Sequence, residues 1–212
     1  MELLHQLIDF ILHIDKHLFE LVNHYHNQTY LILALIVFCE TGLVVTPFLP
    51  GDSLLFAAGA LAGAGLLNIY LLVVILFVAA FAGDNTNYFI GNFIGHKLLA
   101  FKRPIIRKEY MDRTHSFYEK HGGKTVIIAR FIPILRTFAP FVAGLGSMRY
   151  FRFIKFSIVG TLLWITGFCS AGFLFGNMEV VKKNFSLVVF VIILLSLMPM
   201  IIGFLKAKLG KK

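Results

Sequence analysis

From Tyr30 to Thr46 the chain is almost wholly apolar, with Glu40 as its one charge, and it then meets Pro47-Phe48-Leu49-Pro50-Gly51-Asp52. Two prolines within four residues, followed by glycine, cannot continue a regular helix. The next stretch, Ser53–Leu67, is rich in Ala and Gly and suits close helix packing. This pattern predicts a helix, a break and a second helix over about residues 30–67. We read it as a re-entrant hairpin that dips into a bilayer and returns to the same face. A spanning helix follows from about Ile69 towards Ile94, and the polar patch Gly83-Asp84-Asn85-Thr86-Asn87 is expected to interrupt it. Residues 96–124 form the one long polar loop.

The second half repeats the plan. Val126–Phe131 is apolar apart from Arg130, Pro133 and Pro140 are expected to break it, and Phe141–Gly146 returns through small residues. A second re-entrant hairpin is therefore expected over about residues 125–147. A spanning helix from Phe153 to Leu174 would be roughly 33 Å long, and a last one covers Phe185–Leu205. Residues 1–28 differ from all of these. Leu4, Leu7, Ile8, Ile11, Leu18 and Val22 recur at helical spacing opposite Asp9, His13, Lys16, His17 and Glu20, the signature of an amphipathic helix lying at an interface. Asp9, His13 and His17 lie at i+4 steps, but no further ligand has a fixed spacing. They read as a wet helix face, and no metal or cofactor is expected.

Composition makes the membrane the solvent for these elements. Of 212 residues, 58% are hydrophobic and 15% are charged, against about 25% charged in a soluble chain. Residues 29–212 are thus expected to form one all-α integral membrane domain. The N-terminus lacks the basic region and small-residue cleavage site of a secretory signal. Cys39 and Cys169 both lie in apolar runs, so no disulfide framework is indicated. Charge is divided unevenly: residues 1–95 carry seven acids and Lys16 alone, whereas residues 96–212 carry nineteen Lys or Arg and four acids. These basic residues flank apolar segments, which the positive-inside rule explains without nucleic acid. That rule places the 96–124 loop and the C-terminus in the cytoplasm. The second hairpin then enters from the cytoplasm and the first from outside. Inverted repeats with broken helices are the architecture of secondary transporters.

Five charges stand at membrane depth: Glu40, Asp52, Asp84, Arg130 and Arg136. Each costs about 2.5–3.5 kcal/mol on insertion scales, so each is expected to pair or to line a pathway. Arg130 and Arg136 flank Pro133, and a guanidinium group forks onto phosphate oxygens bidentately. They are the candidate ligands for a phosphate monoester. Glu40 and Asp52 are the candidate proton carriers and ion-pair partners, since burial favours a neutral carboxyl group while a nearby arginine favours the carboxylate. The competing reading has both arginines pairing with Glu40 and Asp52 only to hold the hairpins together. Asp52 also suits a helix cap within Gly51-Asp52-Ser53. Asp84 reads as structural support, and Pro50, Gly51, Pro133 and Pro140 supply the breaks. Trp164 carries no special signal.

These residues also carry a family resemblance. Glu40, Phe48-Leu49-Pro50-Gly51-Asp52-Ser53, Gly83-Asp84, Tyr88, Gly91 and Gly95 are followed by Phe117-Tyr118-Glu119-Lys120-His121-Gly122. Arg130-Phe131-Ile132-Pro133, Arg136-Thr137, Ala143-Gly144, Gly160 and Trp164 complete the series. In this order and spacing the chain resembles the DedA family of bacterial inner-membrane proteins, also called the SNARE-associated or VTT-domain family. The resemblance implies two facing re-entrant hairpins and movement of lipids between leaflets. It implies that the acids matching Glu40 and Asp52 and the arginines matching Arg130 and Arg136 are essential. It points to undecaprenyl phosphate carried from the outer to the inner leaflet; with Glu40 and Asp52 as proton carriers, coupling to the proton motive force is expected. Phosphatidylethanolamine transport, general scrambling and a proton-coupled ion or osmolyte antiporter stay open, as does a homo-oligomer. An enzyme is not expected: a phosphatase would need a nucleophile and a general acid near the arginines, and neither hairpin contains a histidine.

Overall fold

The computed structural model describes residues 28–43, 51–100, 123–146 and 148–176, with scattered positions up to 191. Six helices occur among them: α1 (Gln28–Gly42), α2 (Gly51–Gly63), α3 (Ile69–Ala100), α4 (residues 123–129), α5 (Pro133–Leu145) and α6 (Tyr150–Phe175). There is no strand among the described residues. The N-terminal amphipathic helix, Pro50, most of the basic loop and most of the last apolar segment at 185–205 lie outside them.

Length sorts the helices. α3 and α6 each hold a 26-residue apolar span, about 39 Å and enough to cross a hydrocarbon core of about 30 Å. α1 has 15 residues, and α2 and α5 have 13 each, about 20–22 Å, so none of the three crosses alone. The order short, short, long occurs twice along the chain.

The long helices are apolar outside and polar inside. Tyr70, Val74, Val78, Phe89 and Phe93 on α3 are exposed, as are Phe151, Ile158, Leu162 and Leu174 on α6. Asp84 and Asn87, and Ser157 and Thr161, are buried on the opposite faces. A soluble helix has the reverse arrangement. Hydrocarbon as solvent accounts for it, and the protein is an all-α membrane protein.

Two sequence expectations need correction. The polar patch does not interrupt α3, which runs unbroken to Ala100 and so takes in the first residues assigned to the loop. Its polar side chains are satisfied without opening a turn: Asn85 Nδ2 donates to the Phe81 carbonyl at 2.6 Å and Thr86 Oγ1 to the Ala82 carbonyl at 2.9 Å. Nor does Pro140 break its segment. The break falls earlier, where Arg130, Phe131 and Ile132 donate to carbonyls three residues back at 3.0–3.2 Å. Pro133 then opens α5 at a position whose N–H has no helical partner anyway. Pro140 lies inside α5. Asn87 of α3 holds the same stretch of α5 from outside by donating to the Thr137 carbonyl at 2.6 Å.

Contacts divide the chain into two compact units. The first comprises Met1–Leu33, Pro50–Leu76 and Ile165–Lys212. Within it α2 is buried at eleven of its positions and packs on the end of α6 through glycine. A Cβ on Gly59 would overlap the Cys169 carbonyl, and one on Gly172 would overlap that of Phe56. Gly65 turns the chain after α2 at φ 80°, a left-handed conformation that suits glycine. Asn68 caps α3 by accepting from the N–H groups of Tyr70 and Leu71 at 3.0 and 3.2 Å, while its own N–H donates to the Tyr30 hydroxyl at 2.7 Å.

The second unit comprises Ala34–Leu49 and Phe77–Trp164. One apolar cluster in it gathers Tyr88, Val126, Ala143, Met148 and Phe153. Tyr88 stacks on Phe153 at 4.6 Å between ring centroids and donates its hydroxyl to the Met148 carbonyl.

Close packing at glycine can be tested inside one helix. Gly172→Leu is expected to destabilise the detergent-solubilised protein by about 1–3 kcal/mol through overpacking. Gly167→Leu, where a Cβ meets nothing within 4 Å, is expected to stay within about 0.5 kcal/mol of wild type. Equal losses in thermal unfolding would contradict the assigned helix contact.

Candidate functional site

Four elements of the second unit each turn a polar stripe inward. On α3 the stripe is Gly83, Asp84, Asn87 and Gly91; on α6 it is Ser157, Gly160, Thr161 and Trp164. Both follow the i, i+3 or i+4, i+7 or i+8 spacing of one helix face. The last turn of α1 supplies Glu40 and Thr41. The break before Pro133 and the first turn of α5 supply Arg130 and Arg136.

Two ion pairs result. Arg130 Nη1 binds Asp84 Oδ2, and Arg136 Nη2 binds Glu40 Oε1. None of the four residues is more than 3% exposed. Ser157 Oγ also donates to Asp84 Oδ2, at 2.6 Å. Trp164, wholly buried, lies beneath both guanidinium groups, with ring-centroid distances of 5.4 Å to Arg130 Cζ and 4.5 Å to Arg136 Cζ. Cation–π attraction of this kind strengthens when the partners are desolvated. Asn87 Nδ2 donates to the Thr41 and Thr137 carbonyls at 3.1 and 2.6 Å, tying α1 and α5 to α3.

Charge is balanced here, but hydrogen bonding is not. Two arginines face two acids, so the formal sum is zero. Nε and Nη2 of Arg130 nevertheless have no hydrogen-bond partner among the described residues, and neither do Asp84 Oδ1, Asn87 Oδ1 and Thr161 Oγ1. Buried donors and acceptors left in this way cost free energy and call for an explanation. The two Arg130 donors form one side-on edge of the guanidinium plane, the geometry that receives both oxygens of a carboxylate or phosphate. Next to them α5 begins without a side-chain cap, presenting the positive end of its dipole.

Within the second unit, Glu40, Arg130 and Arg136, all emphasised by sequence, come together. Asp52 and Gly51 lie in the first turn of α2, in the first unit, where a carboxylate meets the positive end of its own helix. Asp84 was set apart as support, yet it is the ion-pair partner of Arg130. Sequence reasoning missed Ser157, Asn87 and Trp164. The available signal was the run of small and polar positions Ser157, Gly160 and Thr161 ending in the single tryptophan, at one-face spacing on a spanning helix.

Comparison with known proteins gives this site a family. Residues 49–174 match the VTT domain. The chain is 54% identical to Protein DedA of Escherichia coli over 98% of its own length and 96% of that protein's. The chain belongs to the VTT-domain (DedA) family. A Mycobacterium leprae membrane protein is 42% identical over 79% of the chain and 76% of its own length. Inner membrane protein YqjA of Escherichia coli is 33% identical over 74% of the chain and 72% of its own. No solved structure matches. The VTT domain match takes in Asp52, Asp84, both arginines, Ser157 and Trp164. Glu40 lies ahead of it, inside the longer similarity to DedA.

The pairing itself is open to a double-mutant test. Removing one member of a buried ion pair is expected to cost about 3–5 kcal/mol, because the other charge is left behind. Asp84→Ala with Arg130→Ala, and Glu40→Ala with Arg136→Ala, are each expected to destabilise by far less than the sum of the single changes. The crossed combinations are expected to couple more weakly. Equal coupling for matched and crossed pairs in thermal unfolding would overturn the assignment.

Proposed function

We propose that the protein is a lipid transporter that moves a phosphorylated polyprenyl carrier of the undecaprenyl phosphate type from the outer to the inner leaflet of the bacterial inner membrane. The observation that carries this reading is the buried Nε–Nη2 edge of Arg130. It is an anion-shaped pair of donors inside an apolar protein, beside a second arginine and a helix N-terminus. A phosphate monoester matches it in charge and in oxygen spacing. The prenyl chain would remain in lipid along the apolar outer faces of α3 and α6.

The remaining parts of the proposal follow from this one. Glu40 and Asp52 handle protons that couple transport to the proton motive force. The two segments of short helices are opposed re-entrant hairpins, which fits their being too short to cross alone. The basic loop and the C-terminus are cytoplasmic, in keeping with the positive-inside rule. Family membership supports a membrane role and leaves the cargo to the site's chemistry.

Leaflet-resolved transport in proteoliposomes tests the cargo. Wild type is expected to move undecaprenyl phosphate. Arg130→Lys and Arg136→Lys, which keep the charge but lose the planar fork, are each expected to slow transport by about tenfold or more, the worth of a hydrogen bond to a charged group. Transport of phosphatidylethanolamine without transport of undecaprenyl phosphate would sink the monoester reading. Full activity in both lysine variants would sink the bidentate one.

A further inference from the structure

Arg130 can present its Nε–Nη2 edge only if something holds the rest of the group; beside Asp84 of α3, the holding contacts come from one face of α6. Ser157 Oγ donates to Asp84 Oδ2 at 2.6 Å, and the same oxygen binds Arg130 Nη1. One turn further along, the arginine stem passes over Gly160: a Cβ built there would lie 3.5 Å from Arg130 Cδ. Another turn on, Trp164 lies 5.4 Å from Arg130 Cζ. Ser157, Gly160 and Trp164 therefore meet the carboxylate, the stem and the guanidinium face in that order.

We propose that Ser157 is a positioning residue for a phosphate subsite at Arg130. It fixes the Asp84 carboxylate, which fixes Nη1 and so aims the opposite edge at the incoming phosphate. This inference rests on the phosphate reading above. A carboxylate held by one arginine alone can swing with it, since both partners rotate about single bonds. A second donor on the same oxygen, from a different helix, removes that freedom. Wholly buried, Ser157 has no solvent to hydrogen-bond instead. The relay transfers no proton and forms no bond; its contribution is orientation, which lowers the ordering cost of binding.

Trp164 is the only tryptophan in the chain, so its fluorescence reports on this site alone. Titrating the purified full-length protein in detergent with farnesyl phosphate, a short polyprenyl monoester, is expected to give a saturable change in that signal. Ser157→Ala is expected to raise the apparent Kd about tenfold, and Ser157→Thr, which keeps the hydroxyl, to restore it to within about twofold. In an Arg130→Lys background, Ser157→Ala is expected to add no further loss, because the fork it aims is gone. Asp84→Glu keeps the carboxylate but moves it by one methylene, and it is expected to weaken binding as Ser157→Ala does. That arm stands even where Ser157→Ala does not purify. Wild-type affinity in Ser157→Ala or in Asp84→Glu overturns the relay alone. So does an equal loss from Ser157→Ala in both arginine backgrounds, the mark of a general structural role. A wild-type protein with no saturable response removes the phosphate reading itself, and the relay with it.

Discussion

A guanidinium group cannot shed its charge at membrane depth, and two of them lie within six residues of one another. The second unit is organised around neutralising them. Glu40 must come from the end of α1 and Asp84 from the middle of α3, because α5 and the turn before it carry no acid of their own. On an unbroken helix, side chains six residues apart would point about 120° away from each other. The break at residues 130–132 re-aims one of them, and both then share the face of Trp164. Four separate stretches of chain are thereby committed to one small volume.

That commitment explains why the long helices are polar on their inner faces. In hydrocarbon, apolar side chains gain little by leaving the lipid for one another, so association relies on close backbone approach and on polar contacts. α3 uses both. Its glycines let neighbours come near: a Cβ on Gly83 would overlap the Thr41 hydroxyl, and one on Gly91 would overlap the Phe141 carbonyl. Asn87 supplies the polar contact, bridging the backbones of α1 and α5 from the level between them.

Helix positions were legible in the sequence because apolar length and Pro-Gly breaks report directly on what a bilayer tolerates. The spanning parts of α3 and α6 lie within a few residues of where pattern placed them. That Glu40 would meet an arginine followed from chemistry alone, since charges in oil must pair. What could not be read was which acid meets which arginine. Asp84 belongs to a run of polar residues that looks like a broken turn, and only the neighbouring helices show that the run is satisfied in place. Pro140 looks like a breaker for the same reason: its place inside α5 depends on what packs around that helix, which periodicity does not reveal. Ser157 and Trp164 are ordinary residues for a membrane helix until Arg130 is laid across them.

Charge balance finally ties the proposed proton coupling to the proposed cargo. The two pairs sum to zero, so the site in this conformation is electrically closed. A phosphate monoester that enters it brings between one and two negative charges. In a low-dielectric interior an uncompensated charge is strongly disfavoured, and a gain of positive charge is required for the anion to stay. No basic residue remains inside the pairs to provide it, because both arginines already face acids. A proton taken up by a carboxylate is the smallest change that restores neutrality: it cancels one negative charge and frees one guanidinium group for the phosphate. In the proposed reading the proton is therefore a stoichiometric part of lipid binding, and the direction of the proton gradient sets the leaflet at which the complex forms.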